Sequence, residues 1–102
     1  MYAVAIRFVL EPYSQWEADH MAQVVLNSLR DKQGFVDLVL LGQYETGEYE
    51  WIGMWETKQQ AVVALEEWHE PFMRLLGDYA HWNKPYANLY EVHTVKRSQQ
   101  QE

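Results

Sequence analysis

The chain contains no cysteine among its 102 residues. Disulfide frameworks, iron–sulfur clusters and thiol nucleophiles are therefore excluded. Basic residues are also scarce, with 8 lysines and arginines against 15 aspartates and glutamates and a net charge of −7. Because nucleic acids and acidic membrane surfaces are bound through clustered basic side chains, we expect neither as a partner.

Long apolar runs are missing too, and none approaches the length of about 20 residues that crosses a membrane. The short apolar start, Met1–Ile6, is followed by Arg7. A signal peptide has the opposite order, with positive charge before a long apolar stretch. We therefore expect a cytoplasmic protein.

No cofactor or metal site is visible in the sequence. The five glycines are scattered singly, so a glycine-rich phosphate loop is absent. A zinc or iron site needs three or four convergent ligands, and the four histidines show no metal-binding spacing. We expect neither a cofactor nor a metal.

Core-forming residues are abundant. Hydrophobic residues make up 48% of the chain and aromatic residues 15%, which is enough for one packed domain and too much for a disordered chain. We expect this domain to span residues 1–95. The polar segment 96–102 contains no core former and is expected to be a disordered tail.

Four alternating segments predict strands, and two segments with helical spacing predict helices. The strands are expected over residues 3–10, 35–44, 49–55 and 86–95. The second of these is apolar on both faces at its centre, as expected of a strand covered on both sides. The resulting order is β-α-β-β-α-β.

Local signals mark the predicted helices. Ser14, with Glu17 three residues later, has the form of a capping box that opens the first helix. Pro71 lies inside the second helical pattern. Because proline removes one helical hydrogen bond and disfavours a helical residue before it, we expect a break near His69–Glu70 and a second short helix beyond.

This order predicts an α+β, ferredoxin-like split βαβ fold, with an antiparallel four-stranded sheet and both helices on one face. The other face is then uncovered, although three strands carry large apolar residues on both faces. Such a patch exceeds the few hundred Å² typical of a monomer. We therefore expect a homodimer in which a second copy covers it.

The third predicted strand ends in the run Trp55–Ala61 (WETKQQA), and Gly34–Phe35 leads into the second strand. With the element order, these features make the chain resemble the antibiotic biosynthesis monooxygenase (ABM) family of dimeric α/β barrels, over nearly its whole length. The resemblance implies two subunits packed sheet to sheet. It also implies a cofactor-independent monooxygenase, an oxidoreductase acting on a small aromatic, phenolic or polyketide-like substrate.

The same resemblance implies two alternatives. Haem-degrading members similar to this chain carry a tryptophan nine residues and a histidine nineteen residues after the third-strand tryptophan, where this chain has Ala64 and Arg74. Haem degradation is therefore the less favoured alternative. Many other members have a histidine at the first of these positions, and its absence favours a non-catalytic dimer that binds a small molecule.

Cofactor-free oxygenation needs a base, donors that hold the resulting anion, and a dry pocket. His69 is the first candidate base, because imidazole titrates near neutral pH; alternatively it fills space at the edge of the core. Arg7 interrupts an apolar strand and is the candidate anion clamp. Its alternatives are a salt bridge to Glu50 or Glu91, or an extended position at the sheet edge.

Aromatic side chains are the candidate contacts for a flat hydrophobic ligand, and tyrosine hydroxyls could orient it. Aromatic residues at strand and helix spacing alternatively form the core. The candidate substrate-binding residues are Trp68, Tyr49, Trp51, Trp55 and Tyr90.

Overall fold

The computed structural model describes residues 1–77 and 85–93. Within them the elements are β1 (Tyr2–Val9), α1 (Gln15–Leu29), β2 (Phe35–Gln43), β3 (Glu48–Trp55), α2 (Lys58–Leu76) and β4 (Tyr86–Glu91). The strands form one antiparallel sheet in the order β2-β3-β1-β4. Both helices pack on one face of it, which confirms the predicted α+β, ferredoxin-like fold.

The core lies between the two helices and the sheet. Because side chains alternate along a strand, every second residue of β1 and β3 faces the helices. These residues include Val4, Ile6, Phe8, Trp51 and Trp55. The helices add Met21, Val25, Leu29, Ala61, Phe72 and Leu76.

The helix α1 begins after Ser14 as predicted, but the predicted capping box is wrong. Ser14 makes no side-chain hydrogen bond at the cap. Instead, the residue before it, Tyr13, has a φ of 63°, and its N–H donates to the carbonyl of Tyr44 at 2.7 Å. A capping box is found on α2, where Thr57 and Gln60 exchange side-chain-to-backbone hydrogen bonds.

The helix α2 continues through Pro71, so the predicted break near His69–Glu70 and the second short helix are wrong. Because Pro71 has no N–H, the carbonyl of Glu67 lacks its helical hydrogen-bond donor. Both residues are exposed, so water can replace the missing bond. On the opposite side of the helix, Phe72 and Leu76 are each 2% exposed. Burial of the apolar face therefore outweighs the local cost of the proline.

The strand β2 is an edge strand, and in the single chain both of its faces are partly exposed. Among the described strands only β3 pairs with it. Leu40 and Leu41 lie on opposite sides of β2 and are 44% and 49% exposed. The alternation pattern could not show this, because it does not reveal a strand's place in the sheet.

The outer face is the side of the sheet that faces away from the helices. Its residues follow from the strand register, in which directly opposed residues share a face. They are Ala3, Ala5, Arg7, Val39, Leu41, Glu50, Ile52, Met54, Tyr86, Asn88 and Tyr90. No element within residues 1–77 and 85–93 covers this face.

The end of β4 differs from the prediction. The strand stops at Glu91, and one further backbone bond joins the N–H of Val92 to the carbonyl of Met1. Val95 and the predicted tail 96–102 lie outside the described residues. No helix in the described part of the chain has both the length and the apolar character needed to cross a membrane.

Candidate binding site

A small chamber of about 30 Å³ lies between the helices and the centre of the sheet. Every side chain that lines it is aliphatic or tryptophan, so none of them titrates near neutral pH. The lining includes Leu38, Trp51, Gly53, Trp55, Ala64 and Trp68. The chamber is therefore an apolar recess built by elements from across the fold.

Trp68 lines the chamber and carries a buried polar atom. Its Nε1–H is buried and has no acceptor within the described residues. The ring stacks on Phe72, with centroids 4.5 Å apart and planes 25° from parallel, and Phe72 packs in turn against Phe8 and Trp51. A buried donor without an acceptor costs about 1–3 kcal/mol, and the stacking of the ring on Phe72 offsets part of that cost.

A second space, the α1–β2 groove, adjoins the chamber at Trp51, which lines both. The groove has a volume of about 250 Å³, and Asp19, Tyr44 and Tyr49 contribute to its lining. Tyr49 is 6% exposed, and its hydroxyl has no hydrogen-bond partner in the described part of the chain. Tyr49 therefore carries a second buried, unsatisfied polar group, next to the groove that its side chain lines.

Burial raises the pKa of the Tyr49 hydroxyl, and the nearby Tyr44, Asp19 and Glu17 raise that pKa further. A phenol with a raised pKa stays protonated at neutral pH, so it can donate a hydrogen bond but cannot act as a base. The ring is fixed by stacking on Phe8, with centroids 5.4 Å apart. Tyr49 is therefore a positioned donor.

Gly42 of β2 makes room for the Tyr49 ring. A Cβ built on Gly42 would lie 2.4 Å from Cδ1 of Tyr49, which is too close for any side chain. The glycine therefore allows the aromatic ring to lie against the edge strand. Any larger residue at this position would displace Tyr49 and its hydroxyl.

Arg7 lies on the outer face, away from the chamber. Its Nε is 3.3 Å from Oε2 of Glu50, and its side chain is 70% exposed. This is the salt bridge that the sequence allowed as the alternative. Arg7 also lines a shallow groove of about 480 Å³ together with Tyr49. Its role as an anion clamp stays a prediction.

His69 and Tyr90 also lie away from the chamber. His69 is on the exposed side of α2, while Tyr90 pairs with Ala3 on the outer face and is 53% exposed. Of the predicted site residues, the structure brings together Trp51, Trp55 and Trp68 at the chamber and Tyr49 at the adjoining groove.

Asp19 is a groove residue that the sequence did not single out. It is exposed on α1, where a lone carboxylate is usually solvated. Only the fold brings it near Tyr49, which lies on a distant strand. No local sequence signal could have found this pair.

A polar groove of about 450 Å³ lies on another side of the chamber and shares Trp55 and Ala64 with it. On its lining, Nζ of Lys32 is 2.7 Å from Oε1 of Glu67, which links the segment after α1 to α2. Within residues 1–77 and 85–93, no cluster of histidine, aspartate and glutamate side chains is placed to hold a metal ion.

Comparisons with known proteins identify the fold. No family model and no curated protein matches the chain. Among solved structures, SnoaB, a cofactor-independent oxygenase from Streptomyces nogalater, is similar with a TM-score of 0.69 and 16% identity, over 92% of this chain and 94% of that chain. An antibiotic biosynthesis monooxygenase structure gives 0.66 and 13%, over 92% and 100%.

A de novo designed protein, Foldit4, is similar as well, with a TM-score of 0.65 and 14% identity over 94% of this chain and 98% of that chain. One fold thus serves natural oxygenases and a designed protein, so the fold alone does not assign a reaction. The chain has the ferredoxin-like fold of the antibiotic biosynthesis monooxygenase structures, as the sequence resemblance implied.

Proposed function

We propose that the protein is a cofactor-independent oxygenase that binds a small aromatic, phenolic or polyketide-like substrate across the chamber and the α1–β2 groove. The observation that carries the proposal is the apolar chamber, which is lined by three tryptophans. The similarity in fold to structures named as such oxygenases supports it.

In such a reaction the substrate supplies the electrons. A base removes a proton from an activated CH₂ or an acidic hydroxyl, and the electron-rich anion then reduces O₂. Where a CH₂ group becomes C=O, two C–H bonds are lost, one oxygen atom enters the product and the other leaves as water. A dry pocket favours this chemistry because it shields the anion and its intermediates from water.

The chain's own residues would bind and orient the substrate. The protonated Tyr49 hydroxyl and Trp68 Nε1–H are donors for its oxygen atoms. Asp19, the carboxylate of the groove, is the proposed proton acceptor. His69 as base and Arg7 as anion clamp stay predictions, and a base role for His69 predicts that His69→Gln removes any pH dependence of turnover near neutrality.

A second candidate is a non-catalytic dimer that stores or senses a small hydrophobic molecule. The observation that favours it is the chamber lining, which contains no titratable side chain. A protein of this kind needs the recess and the donors but not a base. It would bind the same aromatic molecules without consuming oxygen.

We also propose a homodimer of the dimeric α/β-barrel type, with the outer faces of two copies packed together. The support is the exposure of Val39 and Leu41, at 39% and 49%, beside Ile52 and Met54 on the same face. Burying such apolar surface stabilises by about 25 cal/mol per Å². The cytoplasmic location stays a prediction.

Oxygen uptake with anthrone, a ring ketone with an acidic CH₂, tests the proposed reaction. We expect uptake matched by anthraquinone formation, without added metal or flavin, and a lower rate in Tyr49→Phe. Binding of anthrone with no uptake above that of heat-denatured protein would favour the storage or sensing dimer. A saturable Soret band at one haem per chain, lost on adding reductant and oxygen, would instead favour haem degradation.

A further inference from the structure

The chamber is too small for the ring of an aromatic molecule. Its volume is about 30 Å³. Since one water molecule needs about 10–15 Å³ on this measure, the chamber holds about two non-hydrogen atoms. The α1–β2 groove, at about 250 Å³, is large enough for a ring. Because Trp51 lines both spaces, a molecule in the chamber lies next to one in the groove.

The lining of the chamber favours an apolar occupant. Its side chains are aliphatic or tryptophan, so none of them is charged and none accepts a hydrogen bond. A buried water molecule usually has about three polar partners, whereas a small apolar molecule needs none. Dispersion contacts with the wall stabilise such a molecule.

Gly53 maintains the volume of the chamber. It lies on β3 between Trp51 and Trp55 and is not one of the glycines with positive φ. A Cβ built on Gly53 would lie 3.6 Å from Nε1 of Trp55 and 3.9 Å from Cδ1 of Leu38, which are ordinary contact distances. Trp55 and Leu38 both line the chamber. An alanine would therefore fit and would occupy part of this space, although glycine weakens a strand interior.

The chamber opens between β2 and α2. Leu38 of β2 and Leu65 and Trp68 of α2 are half-buried, whereas the other residues of the lining are buried. These three residues do not line the α1–β2 groove. A small molecule can therefore enter the chamber while the groove is occupied.

We propose that the chamber is a dioxygen site, in which O₂ lies against Gly53 and Ala64 next to an organic substrate in the α1–β2 groove. O₂ fits the chamber in size, since it has two atoms. It also fits the lining, since it is apolar and carries neither a charge nor a proton that needs a partner. The inference rests on the proposed function and deepens it, because it places the second substrate of that reaction apart from the first.

Dioxygen itself is the probe, because it is paramagnetic and speeds the nuclear relaxation of methyl groups that it approaches. The chain has two isoleucines: Ile6 lines the chamber, and Ile52 lies on the outer face. Protein labelled with ¹³C at the isoleucine δ1 methyls therefore gives two signals, and Ile52→Val assigns them by the loss of one. Under O₂ pressure, with N₂ at the same pressure as the blank, we expect a relaxation enhancement at Ile6 several times that at Ile52. Because Ile6 is 5% exposed, O₂ in bulk water does not account for a larger effect there.

Gly53→Ala tests whether O₂ lies in the chamber itself. We expect the enhancement at Ile6 to fall to the level of Ile52, because the added methyl group takes the space, while the melting temperature stays the same or rises. Val63→Ile is the matched control, since it also adds one carbon, at a position of α2 that is 42% exposed, and it should leave the effect at Ile6 unchanged. A native enhancement at Ile6 in Gly53→Ala would overturn the dioxygen site.

Oxygen-uptake kinetics with anthrone separate the two substrates. We expect Gly53→Ala to raise the KM for O₂ several-fold and to leave the KM for anthrone unchanged, because the ring lies in the groove. A rise in the KM for anthrone alone would overturn the dioxygen site, since it would assign the chamber to the organic substrate.

The dioxygen site and the proposed function fail in different ways. Oxygen uptake with anthrone, together with an enhancement at Ile6 no larger than that at Ile52, would overturn the dioxygen site and leave the proposed function intact. Absence of uptake would overturn the proposed function and, with it, the role of the chamber in holding a co-substrate.

Discussion

The two faces of the sheet differ in how their apolar residues are covered. On the helix-facing side Trp51 and Trp55 are each 3% exposed. On the outer face Leu41 and Tyr90 are 49% and 53% exposed. The same strands supply both faces, so strand composition alone does not tell which residues are buried. Packing on the helix-facing side therefore stabilises the single chain, whereas the outer face is available to the proposed second copy.

Truncating an aromatic residue on the helix-facing side should have the largest effect. Phe72 is 2% exposed and packs against Phe8, Trp51 and Trp68. Phe72→Ala is expected to lower the free energy of unfolding by about 3–5 kcal/mol, because it removes buried surface and leaves a cavity. Urea unfolding measures this loss.

The matched control for that measurement is Trp16→Ala, which removes a large aromatic residue from an exposed position. We expect a change within about 0.5 kcal/mol. An equal loss of unfolding free energy in Phe72→Ala and Trp16→Ala would contradict the conclusion that buried aromatic residues stabilise the chain more than exposed ones.

A charge on the outer face should break the proposed dimer. Ile52→Lys places an ammonium group in the centre of that face, opposite Ala5 and Val39. Light scattering is expected to report twice the chain mass of 12.2 kDa for the native protein and a single chain mass for the variant. The urea midpoint should fall as well, because a domain of this size has little stability to spare.

Val63→Lys is the control for this change, since Val63 is an apolar residue of α2 that is 42% exposed. It should keep the dimer mass. A mass of 12.2 kDa for the native protein at micromolar concentration would contradict the dimer and leave the outer face without its proposed cover.

The element order could be predicted because alternation and helical spacing are local properties of the chain. The errors arose where distant contacts decided the outcome. At Pro71 the local cost was known, but the burial of Phe72 and Leu76 that outweighs it depends on the sheet. At Ser14 the helix start is fixed by a bond from Tyr13 to the β2–β3 turn.

The candidate site was predictable only in part. Trp51 and Trp55 share a strand face, so their proximity follows from the pattern, and Trp68 joins them through the packing of α2. Arg7 was ambiguous because both faces of its strand carry apolar residues. The approach of Asp19 to Tyr49 depends on how α1 lies over β2, which no spacing in the sequence encodes.

The Arg7–Glu50 pair provides a smaller test of the outer face. Because the Arg7 side chain is 70% exposed, solvent screens the pair, and Arg7→Met is expected to lower the free energy of unfolding by less than about 1 kcal/mol. Lys32→Met, which removes the exposed bridge to Glu67, should cost a similar amount. An unchanged melt with weaker binding of an anionic aromatic probe would favour the anion-clamp role of Arg7.

The smallest expected effect concerns Tyr49 on the helix-facing side, whose buried hydroxyl has no hydrogen-bond partner in the described residues. Tyr49→Phe removes a buried hydroxyl without a described partner, so below about pH 9 stability should be unchanged or slightly higher. Because burial raises the pKa of Tyr49 in the folded state, the unfolded chain ionises first as pH rises past the ordinary tyrosine value of about 10. Stability in the native chain therefore falls above that pH, and Tyr49→Phe should make the fall shallower.

Urea midpoints collected from pH 8 to pH 11 measure the difference. The control is Tyr13→Phe, which changes an exposed tyrosine. A native-like alkaline fall in Tyr49→Phe would show that the hydroxyl is not held in its neutral form by burial, and would remove its proposed role as a protonated donor.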